Sequence, residues 1–287
     1  ALQQKFPRLV FKQSQFRCVL SYDIDIAYAY LHKGWYRTLG GFARSLLRGE
    51  GKAIRERWAV LRGKKKDPYD CFEWLDAWHL YCRVKPYFFF LVAKKTSRYD
   101  KSNPYHKKAF RDLIAYYAKS YKLGWHPSWQ SGDDAALFRE EQEWLEVVAD
   151  KKIIYSRQHY LRFTLPGTFR NLLQAGIERD FSMGYGTVNG FRASVCSSFY
   201  WYDLPAEQAT SLLLYPFCFM DANSLFEQRQ TPQQAYNELI GYYEMVKRYK
   251  GLFIPIWHNN VLGMGAWRKM YELFMKETVY WDAYYDE

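Results

Sequence analysis

With 287 residues, 49% of them hydrophobic and 25% charged, the chain carries enough apolar material for a large core, which excludes a disordered polymer. The net charge of +11 would suit an anionic partner, yet no zinc-finger, RNA-recognition or helix-turn-helix pattern accompanies it, and no uninterrupted apolar stretch reaches the roughly eighteen residues of a membrane span. Neither nucleic acid nor a bilayer crossing is therefore expected; five cysteines without a CxxC pair suggest a reducing, cytoplasmic setting, with export left open by the abrupt start at Ala1.

Residues 16–22 (FRCVLSY) form a short apolar run ending in Asp23, Ile24 and Asp25, which predicts a buried strand with carboxylates at its C-terminal tip. A helix is expected over 35–47. The basic run 44–66, ending in Lys64, Lys65 and Lys66, reads as a solvated face, as does the run 94–108. Further strands are expected at 87–92 (YFFFLV), 122–125 before His126, 153–156 before Arg157, 217–220 before Asp221 and 252–257 before His258 and Asn259. Helices are expected between them at 109–121, 135–149, 165–175 and 231–249, the last opening with Thr231 and Pro232 as N-cap and first helical residue, and finally at 266–278. Such alternation predicts a parallel sheet or barrel in one domain over 1–287.

In parallel α/β barrels reactive groups gather on loops at the C-terminal strand ends, which is where these polar tips fall. Asp23 and Asp25, two apart, can point the same way, and two such close carboxylates are relieved by a cation between them. One can then ligate a divalent metal while the other acts as general base toward water; a turn or helix cap is the competing reading. His126 stands in GWHPSW, where Trp125 and Trp129 could wall a cleft. His258, beside Asn259, can protonate a leaving amine or simply pack on Trp257. His32, His79 and His106 have no companion carboxylate at metal-site spacing. The aromatic share of 20% suits walls that stack on sugars, and Tyr185, Trp201 and Tyr202 are candidates for such a wall. Asp180 and Asp221 are further polar tips, able to orient ligands or bind sugar hydroxyls.

These motifs resemble the polysaccharide deacetylases of the NodB-homology type, carbohydrate esterase family four, in the bacterial branch with an N-terminal extension. The resemblance runs across most of the chain and implies an irregular (β/α) barrel of about seven strands, here the C-terminal part of a longer protein. SYDID resembles the first motif, which implies Asp23 as base and Asp25 as metal ligand. GWHPSW is similar to the end of the second, giving His126 as ligand. GFRAS resembles the third, so Arg192 would hold Asp23, and WHN resembles the last, with His258 as general acid. The second motif normally has another histidine four residues before His126, where this chain has Lys122. His159 of SRQHYLRF follows the next strand and can replace it, so that Asp25, His126 and His159 make a three-ligand set for zinc. The implied activity is removal of an N- or O-acetyl group from a carbohydrate, with Asp221, Trp125, Trp129, Tyr185 and Trp201 touching the substrate. The alternative is a carbohydrate-binding scaffold module with a degraded metal site.

Overall fold

Alternate residues of a strand point to opposite faces of a sheet, and here that rule divides the core in two. The computed structural model of the chain describes residues 2–6, 8 and 14–280. After a short helix α1 (Leu2–Lys5) come β1 (Arg17–Cys18), β2 (Ser21–Ile24) and the helices α2 (Trp35–Leu47), α3 (Gly51–Leu61) and α4 (Phe72–Cys82). Strand and helix then alternate through β3 (Tyr87–Leu91), α5 (Lys108–Ser120), β4 (Lys122–His126), α6 (Ala135–Ala149), β5 (Tyr155–Ser156), α7 (Gly167–Gln174) and β6 (Arg179–Asp180). A hairpin of β7 (Phe199–Asp203) and β8 (Gln208–Leu214) leads to β9 (Phe219–Met220), α8 (Pro232–Arg248), β10 (Leu252–Phe253), β11 (Pro255–His258), α9 (Asn259–Leu262) and α10 (Gly265–Phe274). Among the described residues no helix is long and apolar enough to cross a membrane.

Strands β2 to β6 pair in chain order and in parallel, β8 follows β6, and β11 returns to the free side of β2, with Trp257 opposite Tyr22 and His258 opposite Asp23. With β9 beyond β11 and β7 antiparallel on β8, the sheet has nine strands in the order β7-β8-β6-β5-β4-β3-β2-β11-β9. It curls on itself. Tyr87 and Phe89 of β3 meet Phe181, Phe217 and Ile256 from distant parts of the order in one buried interior cluster. The intervening residues, Tyr22, Phe88, Phe90, Trp125 and Trp257, face outward into a larger core under the helices. Burial on both faces is why YFFFLV is apolar throughout. No ladder joins β8 to β9 among the described residues; backbone bonds from Phe217 to Met183 and from Gly190 to Cys218 cross this seam instead. The result is the expected irregular α/β barrel, incompletely closed.

The helices expected at 35–47 and 135–149 have those bounds, and α8 starts as read, with Thr231 and Gln234 forming a reciprocal capping box and Pro232 in the first turn. Three features differ. The basic run 44–66 is not merely a charged face: it takes in the last turn of α2 and the whole of α3, which packs with α2 as a helical hairpin. The last strand is interrupted, as β10 pairs with β1 and β11 with β2. The β7–β8 hairpin and β6 extend the sheet beyond the seven strands expected.

Space inside the barrel is tight. An ideal Cβ on Gly124 of β4 would lie 2.4 Å from the Phe89 ring, so the ring occupies the place of a side chain. Gly124→Ala is expected to cost about 1–3 kcal/mol through this overpacking. Urea denaturation reads it as a lower midpoint with an unchanged slope; an unchanged midpoint would mean that Phe89 gives way freely.

Candidate metal centre

Because the strands are parallel, their C-terminal ends share one rim, and four of the expected residues meet there. Asp25 follows β2, His126 ends β4, His159 lies in a short turn after β5 and His258 ends β11. Asp25 Oδ1 stands 3.3 Å from His126 Nε2 and 3.8 Å from His159 Nε2, while its Oδ2 is 4.0 Å from His258 Nε2. Ligand atoms of Asp25, His126 and His159 all lie within 4.8 Å of one another. That is the spacing of a set able to hold a metal ion.

The partners of these side chains support the same reading. Asp25 Oδ1 is buried and has no hydrogen-bond partner, which is costly unless a cation satisfies it. His126 Nδ1 donates to the Arg157 carbonyl at 2.5 Å, leaving Nε2 with its lone pair toward Asp25. His159 Nδ1 is held by Asp100 Oδ1 at 3.1 Å, so its Nε2 also faces inward. A carbonyl or carboxylate behind each ring is the arrangement that orients histidine ligands. The turn carrying His159 continues through Tyr160 and Leu161 at φ 55° and 49°, a left-handed conformation rare for such side chains. Burial raises the pKa of Asp25, but His159, His126 and His258 outweigh it and hold the carboxyl below the ordinary range. For His258, burial works downward, yet Asp221 outweighs it and holds the imidazole up at about 9.

Asp23 points into the barrel and is buried. Its Oδ1 accepts from Arg157 Nη1 at 2.7 Å, and its Oδ2 lies 4.0 Å from His126 Nε2. The same guanidinium, fully buried, donates to Ser21 Oγ and the Phe181 carbonyl and stacks 4.4 Å over Phe89. The arginine on Asp23 is therefore Arg157, not Arg192. Arg192 lies in the loop between β6 and β7, where it donates to the Gly184 carbonyl and covers the Phe163 ring. Arg157 directly follows β5, one of the polar tips visible in the sequence, and that position was its only signal.

Other expected contacts are corrected too. Trp125 alternates with His126, so it points outward and packs on Phe138 instead of walling the cleft. Trp201 is buried against Phe169 in the outer core, away from the rim. Asp221 has no exposed surface for a substrate: its carboxylate takes the backbone N–H and Nδ1–H of His258. Asp180, also buried, accepts from Ser156 and Ser182. Trp129 stands behind the site, stacked at 4.1 Å on Tyr99 and edge-on to Tyr160. Tyr185 is half-exposed, and its neighbour Gly186 rather than its own ring borders the cavity. Lys122 begins β4 beside the Tyr87 ring. Four residues of strand amount to roughly 13 Å, so that position lies at the opposite end from His126 and bears no ligand. Above Asp25, His126, His159 and His258 opens a cavity of ≈ 280 Å³ walled by residues such as Tyr99, Tyr160 and Phe226. Asp100, Tyr99 and Tyr160 were missed because they sit in loops without periodicity.

No family model matches the sequence, and no curated protein matches it. Solved structures do resemble it. A Mycobacterium smegmatis protein assigned as a polysaccharide deacetylase superposes with TM-score 0.60 at 14% identity, over 94% of this chain and 86% of that one. The PuuE allantoinase follows at TM-score 0.58 and 11% identity, over 92% and 84%. A Pseudomonas aeruginosa PAO1 protein, also assigned as a polysaccharide deacetylase, gives 0.56 and 10% over the same shares, 92% and 84%. At these identities the likeness concerns architecture, and the chain has the irregular α/β barrel fold that these three proteins share.

Proposed function

We propose that the protein is a metal-dependent deacetylase that hydrolyses an N- or O-acetyl group on a carbohydrate. The observation that carries this reading is the buried, unbonded Oδ1 of Asp25 between two histidine nitrogens whose rings are fixed from behind. A carboxylate with two imidazoles is a donor set that suits zinc with an open position. An ion held there supplies a water of lowered pKa and polarises an acyl carbonyl. Asp23, oriented by the Arg157 bond to its Oδ1, takes the proton through Oδ2. His258, held protonated by Asp221, gives one to the departing amine or alcohol. Tyr99, Tyr160 and Phe226 offer flat apolar faces to a sugar ring. Against the alternative scaffold reading, which rests on Lys122, stands the cluster of Asp25, His126 and His159, whose ligand atoms are close enough to hold an ion without that position.

The division of labour has measurable consequences. Asp25→Asn is expected to abolish bound metal, whereas Asp23→Asn keeps metal near the parent level and loses about 10²–10⁴ in turnover of acetylated saccharides. Metal analysis beside the assay decides it: equal metal loss in both variants overturns the separate roles. Arg157→Met, which leaves Asp23 buried without its partner, should cost about 3–5 kcal/mol in urea denaturation. Arg192→Met should cost about 1 kcal/mol or less, as its contacts are one carbonyl and one ring.

His258→Ala should spare metal but slow turnover, with a smaller defect for esters whose leaving groups need no proton. A general acid works only while protonated, so activity falls as pH rises through its pKa. Asp221→Asn removes what holds His258 up, and the alkaline limb of the rate profile should move to lower pH. An unmoved limb would assign that limb to another group.

A further inference from the structure

Residues 33–66, which include the α2–α3 hairpin, contain eleven lysines and arginines against Glu50 and Glu56, a surplus of nine in a chain whose net charge is +11. Beneath the hairpin lies a second cavity of ≈ 400 Å³ on which Lys33, Arg37, Arg44, Arg57 and Lys101 converge. None of the five has an ion-pair partner among the described residues. Asp100 is the acid on this wall, and its oxygens are engaged by His159, Ser97 and the backbone N–H groups of Trp129 and Gln130. Asp67, whose charge reaches Lys33, accepts the N–H groups of Ala29, Tyr30, Leu31 and Tyr69, and Glu56 of α3 accepts from Lys65 and the Tyr30 hydroxyl.

Arg37 and Arg57 are held by neutral groups, so their charge stays uncancelled. Arg37 donates to the Ser102 carbonyl at 2.9 Å. Arg57 lies between the Tyr30 and Phe42 rings, at 5.1 and 5.2 Å, donates to the Thr38 carbonyl and has a buried Nε without a partner. It fits there because residue 41 is glycine: a Cβ would stand 1.5 Å from the guanidinium nitrogen. Lys33 is held down at about 8, first by burial, with Arg57 and Arg37 adding to it against the pull of Asp67. The cavity adjoins the metal centre: Lys101 borders both cavities, and Asp100 joins this wall to His159.

Converging guanidinium and ammonium donors with no carboxylate to satisfy them suit a compact polyanion. We propose that this cavity binds a phosphate or diphosphate ester, and that the acetylated sugar reaches Asp25 while carrying that group. The binding stands on the cavity alone; only its assignment to the substrate rests on the deacetylase reading.

Inorganic pyrophosphate titrated calorimetrically into the full chain at low salt is expected to bind at one site, with affinity falling as salt rises. Binding should persist in Asp25→Asn, which separates it from any ion at the metal centre. Lys33→Gln with Arg44→Gln should weaken it at least tenfold. Lys64→Gln with Lys66→Gln, which removes the same charge from the same segment outside the cavity, should leave it unchanged. Absence of binding, or equal weakening in both pairs, overturns the site. Saturable binding of N-acetylglucosamine 1-phosphate would assign a soluble phosphoester, and binding only to phosphatidylcholine vesicles containing phosphatidic acid a lipid-borne one. In turnover, the phosphorylated sugar should show a KM at least tenfold below that of the unphosphorylated one, an advantage lost in Lys33→Gln with Arg44→Gln. If the two sugars show the same KM, the link to the substrate is wrong; if neither is hydrolysed, the deacetylase reading fails while the pyrophosphate titration still decides the cavity.

Discussion

One side chain ties the interior of the barrel to its rim. The guanidinium of Arg157 crosses from the end of β5 to Asp23 and Ser21 on β2, and its backbone carbonyl receives His126 from β4. Burying a cation and a carboxylate costs several kcal/mol per ion, which their attraction offsets only with good geometry and further hydrogen bonds. Both conditions are met, since the donors of Arg157 find Asp23, Ser21 and the Phe181 carbonyl while the Phe89 ring covers its plane. A shift of β5 relative to β2 would therefore disturb Asp23 and His126 together. The interior packing and the rim geometry are one constraint.

The three rim histidines differ mainly in what stands behind them. His126 has a neutral carbonyl, while His159 and His258 each have a buried carboxylate. Asp100 divides its oxygens among His159, Ser97 and two backbone N–H groups, whereas Asp221 gives both of its oxygens to His258. The charge of Asp221 against the ring favours the protonated form of His258. Local hydrogen-bond supply thus gives one residue type different surroundings on the same rim.

Much of this was legible in the sequence where the cause is local. YFFFLV announces a strand buried on both faces, and Thr231 with Pro232 announces a helix start, because alternation and capping act within a few residues. Asp25, His126, His159 and His258 were legible as polar tips after apolar runs. The partner of Asp23 was not, because Arg157 lies 134 residues away and meets it only through the curl of the sheet. GFRAS drew attention to Arg192 by its motif, but a motif does not say on which side of a curled sheet its loop falls. Trp125 misled by proximity, since a strand sends neighbours in sequence to opposite faces. Helix α3, unlike α2, went unread, because its lysines and arginines drew the reading of a charged face.

The seam between β8 and β9 has a consequence for how such a chain can change. Everywhere else on the rim, lengthening a strand or shifting its register would break a ladder and turn inward residues outward. At the seam no ladder joins β8 to β9 among the described residues, and residues 185–198, which pass beside it, are mostly half-buried or exposed. Extra residues can be inserted there while the interior cluster and the Arg157 network stay in place. Between the points where Asn189, Gly190 and Cys196 tie this segment down, new loops could reshape the approach to the cavity over evolutionary time without the rim being rebuilt.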